Sequence, residues 1–137
     1  MEKAPINKNR IMIVAKIAGE NGFMRDAFEN AGYKVVSADN GIEGLKIYYE
    51  THPDIVILDL DITDMNGADF CRAVTNNNRL GISIIVLSSK TELSLKLASF
   101  VAGAKRFIQK PVQIDELLNE VIRLTTSREH DVGEEYL

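Results

Sequence analysis

The sequence predicts an α/β fold in which a five-stranded parallel sheet carries helices on both faces, and three observations lead there. Short β-branched apolar runs alternate five times with segments of helical spacing. One run, Ile55-Val56-Ile57-Leu58, is continuously apolar and too short for a helix, the pattern of a strand buried on both faces. It delivers Asp59 to its carboxyl end, the edge where such sheets place ligands and chemistry.

The elements follow in order. Ile11-Met12-Ile13-Val14 reads as the first strand. Phe23, Met24, Ala27, Phe28 and Ala31 repeat at helical spacing, and Gly32 stops that helix. Lys34 to Ala38 is a second strand, closed by the turn Asp39-Asn40-Gly41. Ile42, Leu45, Ile47 and Tyr48 mark a second helix, which must end before Pro53. The third strand ends at Asp59, and a loop to Gly67 opens a helix carrying Phe70, Cys71 and Val74, broken by Asn76-Asn77-Asn78. Ile82 to Leu87 is the fourth strand. Leu93, Leu97, Ala98 and Val101 mark the fourth helix, ended near Gly103. Arg106-Phe107-Ile108 is a short fifth strand. Ile114, Leu117, Leu118, Val121 and Ile122 give a fifth helix its apolar stripe. Right-handed crossovers leave the doubly wound order 2-1-3-4-5 as the leading topology. Residues 1–9 read as a polar lead-in, 10–126 as one domain, and 127–137 as an acidic tail or the start of a linker.

Composition narrows the function. The 137 residues suffice for one real core, with 45% apolar residues. Lys+Arg 16 against Asp+Glu 20 gives a net charge of -4, which argues against nucleic-acid binding by this domain. No apolar stretch reaches transmembrane length and no signal peptide opens the chain, so no membrane association is expected. Cys71 is the only cysteine, which rules out an internal disulfide and suits a reducing cytoplasm, the expected location.

Three polar residues stand at strand ends: Asp59, Ser88 and Lys110, the last preceding Pro111. A carboxylate, a hydroxyl and an ammonium on one sheet edge form a set suited to handling a phosphoryl group.

The segments ADNGIEGLKIYYETHPDIVILDLD, MNG, IIVLSS and GAKRFIQKP resemble response-regulator receiver domains of two-component signalling, in that family's order and spacing. The resemblance covers nearly the whole chain. It implies a flavodoxin-like fold and a non-enzymatic phosphorelay function, with Asp59 as phosphoacceptor. It puts the phosphoryl-binding hydroxyl at Ser88 and the lysine at Lys110, joined to Pro111 by a cis bond. The switch aromatic falls on Phe107. Implied partners are a sensor histidine kinase or another phosphodonor, a downstream protein or output domain, and a second copy in a homodimer. Signalling would alter the surface of the fourth helix, fifth strand and fifth helix.

The family's two adjacent magnesium-binding acids at the end of the first strand are replaced by Ala15 and Lys16. Mg²⁺ then keeps only Asp59 and Asp61 as carboxylate ligands beside a repelling ammonium, so weak binding is expected. Thr63 replaces a usual proline. Lys16 has two readings: it pairs with Asp59 or Asp61 as a built-in counterion, or it extends into solvent.

Competing readings attach to the same residues. Ser88 could be a plain strand-end hydroxyl, with Ser89 at the family's small-residue position, and Phe107 could be plain core. Cys71 reads as packing, His52 as a loop residue and His130 as a tail residue. A degenerate receiver acting by protein interaction without phosphorylation is the main alternative. Asp59-Leu60-Asp61-Ile62-Thr63 also resembles the first motif of haloacid-dehalogenase-type phosphatases. That motif belongs on a first strand, and those enzymes need a later acidic cluster and a substrate cap; here only Asp115 and Glu116 follow.

Overall fold

Each apolar run becomes a strand where its β-branched residues cluster, and each helical repeat becomes a helix. The computed structural model describes residues 10–62, 64–76 and 82–127. The lead-in 1–9, residues 128–137 of the tail, Thr63 and Asn77-Asn78 lie outside the described residues.

The strands are β1 (Arg10–Val14), β2 (Lys34–Ala38), β3 (Ile55–Asp59), β4 (Ser83–Ser88) and β5 (Arg106–Gln109). The helices are α1 (Gly22–Asn30), α2 (Gly41–Thr51), α3 (Gly67–Asn76), α4 (Leu93–Val101) and α5 (Ile114–Ser127). The sheet order is β2-β1-β3-β4-β5 and every pair is parallel. The doubly wound topology read from the sequence is therefore the one observed.

Strand alternation builds a core on each face. Met12, Val14, Val56, Leu58, Ile84 and Val86 pack towards Tyr48 of α2 and Phe70, Cys71 and Val74 of α3. Ile11, Ile13, Ile55, Ile57, Ile85 and Leu87 pack towards Met24 and Phe28 of α1 and Leu117, Val121 and Leu124 of α5. All five residues of β3 are buried, as the central strand of a two-faced sheet must be. Burying one such side chain stabilises the fold by about 1.5–3 kcal/mol.

Helical spacing located the helices better than it located their buried faces. Phe23, Ile42 and Ile122 are exposed, and so are Leu93, Leu97 and Val101 of α4. The buried positions at α4 are Ser99 and Ala102. The residues buried here are small, while Leu93, Leu97, Phe100 and Val101 face outward.

Local polar bonds fix the loops at the carboxyl edge. Asn40 caps α2 by accepting from the Glu43 N–H at 2.9 Å. From the loop after β3, Asp64 accepts from the Gly41 N–H at 2.8 Å and the Ile42 N–H at 2.9 Å, fastening that loop to the start of α2. Buried Asn21 donates to the Ala15 carbonyl at 2.7 Å and accepts from the Ser37 hydroxyl at 2.9 Å. It anchors a π-helical turn, Ile17–Asn21, between β1 and α1.

Candidate functional site

Parallel strand register brings distant residues to one edge. Asp59 pairs with Leu87 across β3 and β4, and Ser88 pairs with Gln109 across β4 and β5, so Lys110 begins the loop beside them. The Lys110–Pro111 peptide is cis.

The centre is an ion-paired cluster. Lys110 Nζ donates to Asp59 Oδ2 at 2.8 Å and to Asp61 Oδ2 at 2.9 Å. Asp59 is 8% exposed, and its Oδ1 accepts from the Asp61 N–H at 2.9 Å. Ser89 donates to Asp61 Oδ1 at 3.3 Å. Burial pushes the Asp61 carboxyl up, but the bonds from Lys110 outweigh it and leave its pKa below the ordinary carboxylate value. Burial likewise pulls the Lys110 ammonium down, and its bonds to Asp59 and Asp61 outweigh that and raise it. Both charged forms are held at neutral pH.

An open cleft of about 240 Å³ adjoins the cluster, lined by Lys16, Gly19, Glu20, Asp59, Asp61 and Lys110. Glu20 joins this lining from the segment that follows β1. The π-helical turn folds it back over the strand ends, with Gly19 taking a non-helical conformation within the turn. Its Oε1 is buried with no hydrogen-bond partner among the described residues. A π turn leaves no simple mark in sequence, so nothing pointed to Glu20 beyond its nearness to Lys16.

Several expected residues stand differently from Asp59 and Lys110. Ser88 is buried, but its hydroxyl donates to the Lys90 carbonyl at 2.8 Å and accepts from the Lys90 N–H at 2.9 Å. Phe107 is half-buried on β5 against the α2–α3 core, with Lys96 Nζ 5.8 Å from its ring centre. Ala15 is buried in the α1–α5 core. Of the two readings of Lys16, the solvated one describes this structure: its side chain is exposed, and among the described residues Lys110 supplies the ion pairs to Asp59 and Asp61.

The residues fit magnesium poorly. Ala15 offers no ligand, Lys16 brings positive charge into the cleft, and Lys110 already engages both aspartates, which leaves Glu20 as the one lining carboxylate that Lys110 does not hold. Among the described residues no three His, Cys, Asp or Glu side chains are grouped to hold a metal ion. Asp115 and Glu116 begin α5 and do not line the cleft.

Other candidates settle as packing or capping. Cys71 is buried, and desolvation pushes its thiol up to about 11, which keeps it in the unreactive protonated form. His52 caps α2 in the left-handed conformation, φ 51°. His130 lies outside the described residues. Among the described residues no helix is long and apolar enough to cross a membrane.

Comparison with known proteins agrees with this geometry. Residues 11–122 match the family profile described as the response regulator receiver domain. The chain is 35% identical over 116 residues to the chemotaxis protein CheY of Thermotoga maritima, covering 82% of this chain and 96% of that protein. It is 39% identical over 87 residues to the transcriptional regulatory protein KdpE of Mycobacterium tuberculosis, covering 64% of this chain but only 38% of that longer protein. A CheY-like receiver domain from Methanospirillum hungatei superposes with a TM-score of 0.85 at 25% identity, over 91% of this chain and 99% of that one. The ordered strand ends, the lysine-bridged aspartates and the family match over residues 11–122 together make this chain a member of the response regulator receiver domain family of two-component signalling.

Proposed function

We propose that this receiver is a phosphorylation switch in which Asp59 accepts the phosphoryl group and Lys110, Ser88 and Phe107 read its presence. The observation that carries the reading is the bond from Lys110 Nζ to Asp59 Oδ2 at the carboxyl end of β3. It gives the carboxylate a counterion and places an ammonium where new phosphate oxygens would appear. Ser88 would leave its bonds with Lys90 to donate to those oxygens. Phe107 would then turn into the space vacated, a discrete change on β5. The phosphodonor is a sensor histidine kinase or a small acyl phosphate, and the output is a protein partner or effector domain. Magnesium is a weak ligand of this cleft, since the acidic pair is absent. Intact-mass measurement after incubation with acetyl phosphate tests the reading: one phosphoryl group on the native protein and none on Asp59→Asn.

A second reading rests on Ala15 and Lys16 alone. In it the domain binds its partner without phosphate, and Asp59→Asn leaves that binding unchanged.

A further inference from the structure

Two carboxylates at the end of β1 would bring a charge of -2, whereas Ala15 and Lys16 bring +1. The difference, +1 minus -2, is +3. A divalent cation would add +2 to an acidic site. With Glu20 at -1 in the same cleft, Lys16 and Glu20 sum to zero, the sum that two carboxylates holding a divalent cation would also give.

The arrangement fits that arithmetic. Lys16 lines the cleft with Asp59, Asp61 and Lys110, and its ammonium has no ion pair among the described residues. Lys110 is already committed to two carboxylates. A phosphoryl group on Asp59 replaces one negative charge with about -1.5 to -2 and adds acceptor oxygens. Lys110 alone would not neutralise it. Within and against the cleft, Glu20 and Asp61 oppose the anion and Lys90 acts on Asp61, while Asp39, which accepts from the Ile17 N–H, adds a carboxylate beside Lys16. In the cleft itself Lys16 and Lys110 stand against Glu20, Asp59 and Asp61.

We propose that Lys16 takes the metal's electrostatic place, so that Asp59 is phosphorylated without a divalent cation. The proposal rests on the reading of Asp59 as phosphoacceptor. In the step, one ionised oxygen of Asp59 attacks the phosphorus of an acyl phosphate. The new O–P bond forms as the bond from phosphorus to the acyl oxygen breaks, and the carboxylate leaves with that electron pair. No proton moves, and Lys16 and Lys110 flank the transferring group.

The test follows labelling of Asp59 by acetyl phosphate, by intact mass, in excess EDTA and in excess magnesium. The native protein is expected to label at the same rate in both. Lys16→Ala is expected to label at least about tenfold more slowly in EDTA, and Lys16→Arg to keep the native rate. Glu20→Gln, which removes an opposing charge, is expected to label faster. Labelling that requires magnesium, or that is equally fast in Lys16→Ala, overturns the role of Lys16 while leaving Asp59 as the acceptor. If no form is labelled, the phosphoacceptor reading fails, and inorganic phosphate titrated into metal-free protein under NMR decides for Lys16. Saturable shifts at Lys16 and Lys110 that weaken in Lys16→Ala support it as an anion-binding residue, and their absence overturns it.

Discussion

Lys110 reaches across the carboxyl edge of the sheet to Asp59, Nζ to Oδ2 at 2.8 Å, although 51 residues separate the two in the chain. Three parallel strands are needed to bring them together. The bond therefore reports on the assembled β3-β4-β5 edge and not on any local segment.

Removing that ammonium leaves a nearly buried carboxylate without its counterion. Lys110→Met is expected to lower stability by about 2 kcal/mol, less than the loss of a fully buried partner. The pH profile identifies the cause. Asp61 titrates below its ordinary value, so its contribution is complete above about pH 4–5 and is lost as pH falls through the lowered pKa. Lys110 titrates above its ordinary value, so its contribution is complete below about pH 10 and is lost as pH rises through the raised pKa. Melting temperatures of the native protein should include both losses, and those of Lys110→Met should lack them. Identical profiles would show that the cluster contributes nothing to stability.

Asp64 is expected to act on the same edge from outside the cleft. Its carboxylate satisfies two N–H groups at the start of α2, and Asp64→Ala should cost about 1 kcal/mol. A Cβ on Gly41 would stand 2.5 Å from Met65 Cγ, so Gly41→Ala should displace Met65 from the same junction. Hydrogen exchange at Gly41 and Ile42 checks both: faster exchange than in the native protein is expected, and unchanged exchange would mean the clamp is idle.

The π-helical turn carries a prediction about magnesium. Calorimetric titration of the native protein should show no tight, saturable binding, whereas the Ala15→Asp/Lys16→Asp double variant should gain it. Lys16→Ala alone should leave the stability nearly unchanged, within about 0.5 kcal/mol by thermal unfolding, because the side chain is solvated in this structure. A large loss would place Lys16 in a buried ion pair instead.

Much of this architecture was legible in the residues. β3 begins with its apolar run Ile55–Leu58 and extends one residue past it to Asp59, because a parallel strand buried on both faces must be continuously apolar. Asp59 and Lys110 were legible because polar residues closing such runs have to lie on the sheet edge. The orientation of α4 was not legible: Leu93, Leu97 and Val101 mark a helical period but turn outward, and the positions buried instead are Ser99 and Ala102. The bonds from Ser88 to the Lys90 backbone were equally invisible, because a hydroxyl at a strand end can turn to either side. Glu20 reaches the cleft only through a π turn and the Asn21 anchor, both tertiary features.

The switch prediction separates Ser88 from Phe107. Ser88→Ala should fold normally and still be labelled at Asp59, but its phosphorylated form should respond weakly in partner binding. Phe107→Ala removes the ring beneath Lys96 and should weaken partner binding whether or not phosphate is present. Partner affinity measured with and without acetyl phosphate distinguishes these outcomes. Equal responses in both variants would remove the proposed division of roles.

Labelling of Asp59 tests the central claim most directly. Native protein, Asp59→Asn and Asp61→Asn are each incubated with acetyl phosphate and measured by intact mass. Asp59 has the Lys110 bond at the end of β3, whereas Asp61 lies two residues beyond on the loop and is more exposed. The account predicts slow addition of one phosphoryl group to the native protein, none to Asp59→Asn, and addition at an altered rate to Asp61→Asn. Phosphorylation of Asp59→Asn at the native rate, or none of the native protein under any condition, would contradict it.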